Sequence, residues 1–367
     1  MKALFLKNGW CTPGTVADTI LFGKIEPPPT PTKDYVLIDV KATSINVDDV
    51  ALCQDSAGGG WFFHGKTPTS AEPFIGGSEY AGVVRQVGPK VKRLKVGDVV
   101  CGVQDIAMSK SAGTWAEQTL APESHVIRIP DGCDITFMEA AASAMAVLLS
   151  GDMYQRAKLD EVSLKRCLVV GASGGLGTFL MKLLQRHKNV NVVAVCSGKH
   201  SDKMKRLGAT EVVDYAHSPF EEQLKDQDSF DVVFDFVGGT DVEYGGRKVL
   251  KRGGKFITGV GPRKAIGDRV LSCSEWYGWA FGLLWRIVRG CFVGHAYEMA
   301  GAMPPVKEDD FIRTVVDTGA RPEIALEVSW EEDALREAIR KVASRHTGGK
   351  FVINMEPNGG GDERVGE

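Results

Sequence analysis

Between Val169 and Gly177 the chain reads Val-Val-Gly-Ala-Ser-Gly-Gly-Leu-Gly, with glycines spaced to let backbone approach a phosphate. Cys167 to Val170 is a short apolar run of strand character, and Thr178 to Gln185 places Phe179, Leu180, Leu183 and Leu184 at helical spacing. The glycines fall in the turn between them. Gly171 permits the tight turn, Gly174 keeps a Cβ out of the way of a phosphate, and Gly177 lets the helix pack close to the strand. Open N–H groups and the helix dipole then favour an anion, so Ser173, Gly174, Gly175 and Leu176 are the expected pyrophosphate turn. In a chain with 43 glycines this spacing alone is weak evidence. A Val-rich strand from Asn191 to Cys196 adds to it, because it ends about twenty residues after the glycines, where the adenosine ribose of a dinucleotide would lie. An NAD enzyme usually places Asp or Glu there, whereas this chain has Ser197, Gly198, Lys199 and His200. A carboxylate would repel a 2′-phosphate; a hydroxyl followed by a cation attracts it. The expected cofactor is NADPH, and the competing reading has Lys199 and His200 as solvated loop residues.

The elements that must hold these residues fall into three regions. From Met1 to Cys133 short β-like runs (Tyr35 to Val40, Tyr80 to Val87, Val99 to Val103, Thr114 to Leu120, His125 to Ile129) are separated by Gly, Pro and Asp turns. From Asp134 to Ala300 strands at 167–170, 192–196, 211–213, 231–236, 255–259 and 291–293 alternate with helices, the pattern of a doubly wound parallel sheet. Residues 301–356 add a helix around Asp309 to Thr318, a strand near Ile324 to Val328, a helix from Glu331 to Ser344 and a strand Lys350 to Asn354, expected to fold back onto the first region. The predicted fold is α/β: a β-rich domain of residues 1–133 and 301–356, a dinucleotide-binding domain of residues 134–300, and a disordered tail over 357–367.

Composition narrows the partners. A length of 367 residues suggests about two domains, and a hydrophobic content of 43% is ample for buried cores. Net charge is only -3, with no basic stripe and no run of five like charges, so no nucleic-acid or anionic-membrane partner is expected. The start, Met1 to Leu6, is too short an apolar run for a signal peptide, and the expected location is cytoplasmic, with an organellar form left open. The 8 cysteines lie far apart without a C-x-x-C pair and read as free thiols. Trp276 to Ala300 is apolar enough to suggest a membrane span, but Arg286, Arg289 and Glu298 are costly in one, and glycines at 278, 282, 290 and 294 break the run. A helix and then a strand near Cys291 to Val293 are expected, packed in a core or subunit interface, with a membrane or substrate role as the alternative.

The chain resembles the zinc-free medium-chain dehydrogenase/reductases of the quinone oxidoreductase (zeta-crystallin-like) type. The matching pieces are Ala42-Thr43-Ser44-Ile45-Asn46-Val47-Asp48-Asp49, Gly76-Gly77-Ser78-Glu79-Tyr80-Ala81-Gly82, Val96-Gly97-Asp98, Gly113-Thr114-Trp115-Ala116-Glu117, Leu207-Gly208-Ala209 and Gly349-Lys350-Phe351-Val352-Ile353. Their order and spacing are specific together. The resemblance implies a GroES-like β-rich catalytic domain joined to a Rossmann nucleotide-binding domain. It also sets Asn46 and Ser78 where zinc-dependent relatives hold a Cys and a His, and no Cys stands between Cys133 and Cys167 to supply a third ligand. An amide and a hydroxyl are poor zinc donors, so no metal is expected. The implied reaction is metal-free hydride donation from NADPH to a small-molecule quinone or a conjugated enone or enal.

Such a site needs positioning and a donor for developing oxyanion charge, with solvent supplying the proton. Asn46 is the leading donor, to a carbonyl oxygen or the nicotinamide ribose; the alternative is an Asn capping its own loop. Asp49 would orient Asn46 or serve as an exposed loop carboxylate. Many relatives carry a Tyr two residues after that Asp, and here the position is Ala51. Trp61, Phe62 and Phe63 would form an aromatic wall for a flat acceptor, or a local hydrophobic plug. The resemblance further places Ser197, Lys199 and His200 at the 2′-phosphate, with a Lys common in relatives where His200 stands, and Tyr215 beside the same phosphate. Val237, in Phe236-Val237-Gly238-Gly239, closes over the adenine and ribose side, Gly259 and Val260 approach the nicotinamide amide, and Lys350 approaches the cofactor or is a surface lysine. The Trp276 to Arg289 helix and the Cys196-Ser197 pairing resemble the reticulon-interacting mitochondrial oxidoreductases and the trans-acting enoyl reductases. An enoyl-thioester reductase is therefore one alternative, and an NADPH-binding structural or RNA-binding protein like the crystallins is another. The resemblance also implies a homodimer joined through the strand near Cys291 to Val293.

Overall fold

Runs of β-branched and aromatic residues become the strands, and their pairing order decides where the two halves of the chain meet. A computed structural model describes residues 1–54, 67–104, 113–159, 163–224, 229–262, 273–290, 294–300 and 306–356. The strands begin with β1 (Lys2–Leu6), β2 (Leu21–Lys24), β3 (Tyr35–Ile45), β4 (Phe74–Ile75), β5 (Glu79–Val87), β6 (Val99–Val103), β7 (Gln118–Pro122) and β8 (Val126–Arg128). Then follow β9 (Lys165–Val170), β10 (Val190–Cys196), β11 (Ala209–Asp214), β12 (Phe230–Asp235), β13 (Leu250–Thr258), β14 (Ala296–Met299), β15 (Ile324–Ser329) and β16 (Lys350–Asn354).

Strands β9 to β14 pair in parallel in the order β11-β10-β9-β12-β13-β14, the doubly wound order in which the direction of winding reverses between β9 and β12. Alternate residues of β9 enter opposite cores: Cys167 and Val169 on one face, Leu168 and Val170 on the other. Burial on both faces explains why this strand reads as an unbroken apolar run. The other large sheet has the order β15-β16-β3-β5-β6-β8, with β7 also pairing on β3, and β1, β2 and β4 form a small sheet beside it. The α/β architecture expected from the sequence is thus present, and the C-terminal strand β16 returns to pair antiparallel with β3.

The helix Phe137–Ala146, made almost wholly of buried Ala, Phe and Met, packs on β3, β5, β6 and β16. The same apolar cluster takes in Phe179 and Leu183 from the helix Gly175–Leu184, so the two halves share a core. The helix Phe137–Ala146 widens into a π-helical turn over Val147–Gly151 before continuing as Asp152–Ala157.

Three expectations are corrected. Thr114 to Leu120 is not a strand throughout; β7 starts at Gln118, because Trp115 is fully buried with its backbone paired to Gly76 and Leu4. The glycines at 278 and 282 do not break Cys273–Gly290, which is one helix. Each glycine costs a helix about 1 kcal/mol, and here Arg286, ion-paired to Glu243 at 2.5 Å, anchors the helix while Leu283 packs on the core. Its other face is not core: Tyr277, Phe281, Leu284 and Trp285 are exposed. The edge strand of the parallel sheet is Ala296–Met299. Cys291 to Val293, the expected dimer strand, lie outside the described residues, as do 357–367. Among the described residues no helix is long and apolar enough to cross a membrane.

Candidate functional site

In a doubly wound sheet a ligand binds outside the carboxyl ends of the strands where the winding reverses, here between β9 and β12. The chain leaves β9 through Gly171, whose φ of 81° is open to glycine; a side chain there would meet Val237 at 3.0 Å. Gly174 is the N-cap of Gly175–Leu184 and brings no side chain to the first N–H groups of the helix. A Cβ at Gly174 would have nothing nearer than the Gly171 carbonyl oxygen at 3.4 Å, whereas one at Gly177 would run into the Gly171 and Ala172 carbonyls. Open donors and open space at one end, with close packing at the other, fit a dinucleotide pyrophosphate on Ser173, Gly174, Gly175 and Leu176.

At the end of β10, Ser197 caps a short turn, Gly198–His200. Lys199 is exposed, while His200 is half-buried against Gly348, where a Cβ would lie 2.9 Å from the imidazole. Burial, then Lys199 and Lys203, lowers the His200 pKa from its ordinary value. Tyr215 is half exposed, its backbone N–H reaching the Cys196 carbonyl at 3.4 Å. Asp214, at the end of β11, was not singled out in the sequence; a side chain at Gly198 would collide with its carboxylate.

Across the crevice the ends of β12 and β13 are tied together. Gly259 N–H donates to the Asp235 carbonyl at 2.9 Å and Gly239 N–H to the Gly261 carbonyl at 3.0 Å. Leu149, on the π-helical turn, fits against Gly259, where a Cβ would meet it at 3.0 Å. Val237 and Val260 are thereby left partly open at the rim.

A buried polar node faces this crevice from the other sheet. Gly76 and Gly77 lie flat against the Trp115 ring, where neither has room for a Cβ, and this sets Ser78 and Glu79 at the start of β5. The Trp115 indole donates to the Ser44 carbonyl at 3.0 Å, fixing the end of β3 beside it. Glu79 is fully buried and ion-paired to Lys350, which is itself only 4% exposed. The other Glu79 oxygen accepts from the Met145 backbone N–H at 2.8 Å, close to the π-helical turn, an irregularity frequent at functional sites. Asn46 joins both partners: its Nδ2 donates to Glu79 at 3.0 Å and its Oδ1 accepts from Lys350 Nζ at 2.7 Å. The stem of Lys350 lies along Gly175, where a Cβ would meet its Cγ at 2.8 Å. One lysine therefore touches the phosphate turn with its stem and Asn46 with its ammonium.

Asn46 precedes the helix Val47–Leu52, and Asp49 reaches back to accept from the Asn46 N–H at 2.8 Å, as in a capping box. Asp49 is fully buried, so it is not an exposed loop carboxylate. Burial pushes its carboxyl up to about 7, against the lowering effect of Ser78 and the Asn46 N–H. Trp61, Phe62 and Phe63 lie outside the described residues. A zinc centre does not fit this set: Asn46 Oδ1 and Glu79 are taken by an ammonium, and among the described residues no group of three His, Cys, Asp or Glu side chains could hold a metal.

Sequence reasoning quoted Glu79 within a motif without giving it a role. A signal was present, since a carboxylate opening the strand Glu-Tyr-Ala-Gly-Val-Val can be buried only if it is paired. Asp235 and Thr258, whose side chains shape the far loops, were also passed over.

Comparison with known proteins agrees with this fold. Residues 32–131 match the alcohol dehydrogenase GroES-like domain and residues 207–353 match the zinc-binding dehydrogenase family. The mitochondrial NAD(P)H oxidoreductase RTN4IP1 of Mus musculus is 31% identical over 340 residues, 87% of this chain and 81% of that protein. The chloroplastic NADPH-dependent alkenal/one oxidoreductase of Arabidopsis thaliana is 32% identical over 247 residues, 66% of this chain and 59% of that protein. The quinone oxidoreductase structure from Coxiella burnetii shares the fold, with a TM-score of 0.73 at 20% identity, covering 97% of this chain and 99% of that one. The GroES-like sheet, the reversed-winding nucleotide sheet and the glycine turn between them belong together in one lineage: the chain is an oxidoreductase of the medium-chain dehydrogenase/reductase superfamily.

Proposed function

We propose that the chain reduces a quinone or a conjugated enone or enal with NADPH, without a metal. The observation that carries this is the Asn46 amide, held at the crevice by Glu79 on its nitrogen and by the Lys350 ammonium on its oxygen. A cation on Oδ1 draws charge from the amide and strengthens Nδ2 as a donor. One Nδ2 hydrogen goes to Glu79; the second is available to the oxygen of an acceptor on which negative charge develops. When bound, NADPH supplies the hydride. Ser173 to Leu176 would hold its pyrophosphate, and Gly259 and Val260 would flank its nicotinamide half; Val237, expected over the adenine and ribose side, stands in a loop bonded to theirs through Gly239 and Gly261, which supports the nicotinamide half for it as well. Ser197 and Lys199 would take the 2′-phosphate. Asn46 holds the reduced acceptor's oxyanion until water protonates it.

The names of the mouse and Arabidopsis relatives support a nicotinamide-dependent reduction of this kind. Asp214 beside Gly198 works against a 2′-phosphate, which makes the preference between NADPH and NADH decisive. The test is loss of cofactor absorbance with ortho- and para-quinones, an enal and a crotonyl thioester. Turnover of the quinones or enal is expected. Turnover of the thioester alone would replace this reading with an enoyl-thioester reductase. Tight NADPH binding with no turnover of any acceptor would favour a binding role and overturn the reading.

A further inference from the structure

The loops that follow β12 and β13 are shaped by one shared pair of side chains. Asp235 is 1% exposed and Thr258 is fully buried. Asp235 Oδ1 accepts from the backbone N–H of Val237 at 2.9 Å and of Gly238 at 2.8 Å, while Oδ2 accepts from the Thr258 hydroxyl at 2.8 Å. Thr258 Oγ in turn accepts from the N–H of Val260 at 3.1 Å and of Gly261 at 2.8 Å. Four backbone donors, two from each loop, thus converge on a carboxylate and a hydroxyl bonded to each other. Burial raises the Asp235 pKa, and the bonds from Gly238, Thr258 and Val237 oppose the rise.

The pair has little freedom to rearrange. A hydroxyl has one hydrogen and two lone pairs, and Thr258 uses all three. An Asn at 235 would turn an N–H toward an oxygen whose acceptor sites are full, and a Val at 258 would strand two N–H groups and one carboxylate oxygen. Buried polar groups left unpaired are costly, so the two loops keep one relative position. A side chain on Gly171 would meet Val237, which ties this position to the turn leaving β9.

We infer that Asp235 and Thr258 are a positioning pair that fixes the nicotinamide half of the site separately from the adenosine half. The inference rests on the NADPH reading above. In the native full-length chain, NADPH and adenosine 2′,5′-bisphosphate, which lacks nicotinamide, are titrated by calorimetry and both are expected to bind. Thr258→Val is expected to weaken NADPH tenfold or more while leaving the bisphosphate within twofold, and Thr258→Ser, which keeps the hydroxyl, to stay within threefold of native for both. Equal weakening of both ligands by Thr258→Val, or no weakening of either, would overturn the inference. If the native chain binds neither ligand, the NADPH reading itself fails. Should Thr258→Val not fold, hydrogen exchange of the unliganded native chain decides: slow exchange of the Val237, Gly238, Val260 and Gly261 amides supports the brace, and exchange at the rate of open loops refutes it.

Discussion

Replacing Lys350 with Met tests whether the buried node is an ion pair on which the fold depends. Methionine keeps an unbranched stem against Gly175 and removes the ammonium. Glu79, with no exposed surface, would retain only the Asn46 and Met145 N–H groups. Removing one partner of a buried pair typically costs about 3–5 kcal/mol; the two remaining donors place the expected loss near the lower figure, ~3 kcal/mol. Urea denaturation followed by circular dichroism gives the loss, and Glu79→Gln combined with Lys350→Met should recover most of it, with a coupling of about 2 kcal/mol or more. A loss below ~1 kcal/mol, the range of exposed pairs, or a double variant no more stable than Lys350→Met, would refute the reasoning.

Other expectations follow from single contacts. Ser197→Ala with Lys199→Ala should weaken NADPH roughly tenfold to a hundredfold, the worth of charge-assisted bonds, and leave NADH almost unchanged; equal loss of both by titration would remove the 2′-phosphate assignment. Asp49 has a folded-state pKa of about 7, above that of an unfolded carboxyl, so native stability should fall between pH ~4 and ~7 and level off above. Asp49→Asn keeps an acceptor for the Asn46 N–H and should flatten that slope; an unchanged slope in thermal midpoints against pH would show that Asp49 is not its source. Among the proposed acceptors, Asn46→Ala should lower kcat for an enal at least tenfold with NADPH affinity nearly unchanged, whereas a loss confined to NADPH binding would place Asn46 on the ribose.

The periodic parts of the molecule were legible in the sequence, because a strand buried on both faces and a glycine turn are local patterns. Val99–Val103 and Lys350–Asn354 appear with the expected bounds. What stayed hidden depended on partners far away in the chain. Lys350 could be read as a cofactor contact or a surface residue, and only its meeting with Glu79, 271 positions earlier, shows it buried. His200 could be read as a solvated loop residue, and only its packing on Gly348, 148 positions later, shows it half-buried. The helix expected over Trp276 to Arg289 was legible, and it runs as Cys273–Gly290 through the glycines at 278 and 282.

The place of β16 beside β3 bears on how the protein is made. The strands of the nucleotide sheet run consecutively from 165 to 299 and can pair as they leave the ribosome. The other large sheet cannot be completed, because β3 waits for a strand that ends at Asn354. Glu79 emerges 271 residues ahead of its counter-charge, Lys350. Until then the half-built sheet holds an unmatched carboxylate and an open edge on β3, the period in which a nascent chain most needs chaperone cover. A chain terminated before Lys350 would lose the strand that joins β15 to β3 and the counter-charge together, so premature termination should yield aggregation instead of a shortened enzyme.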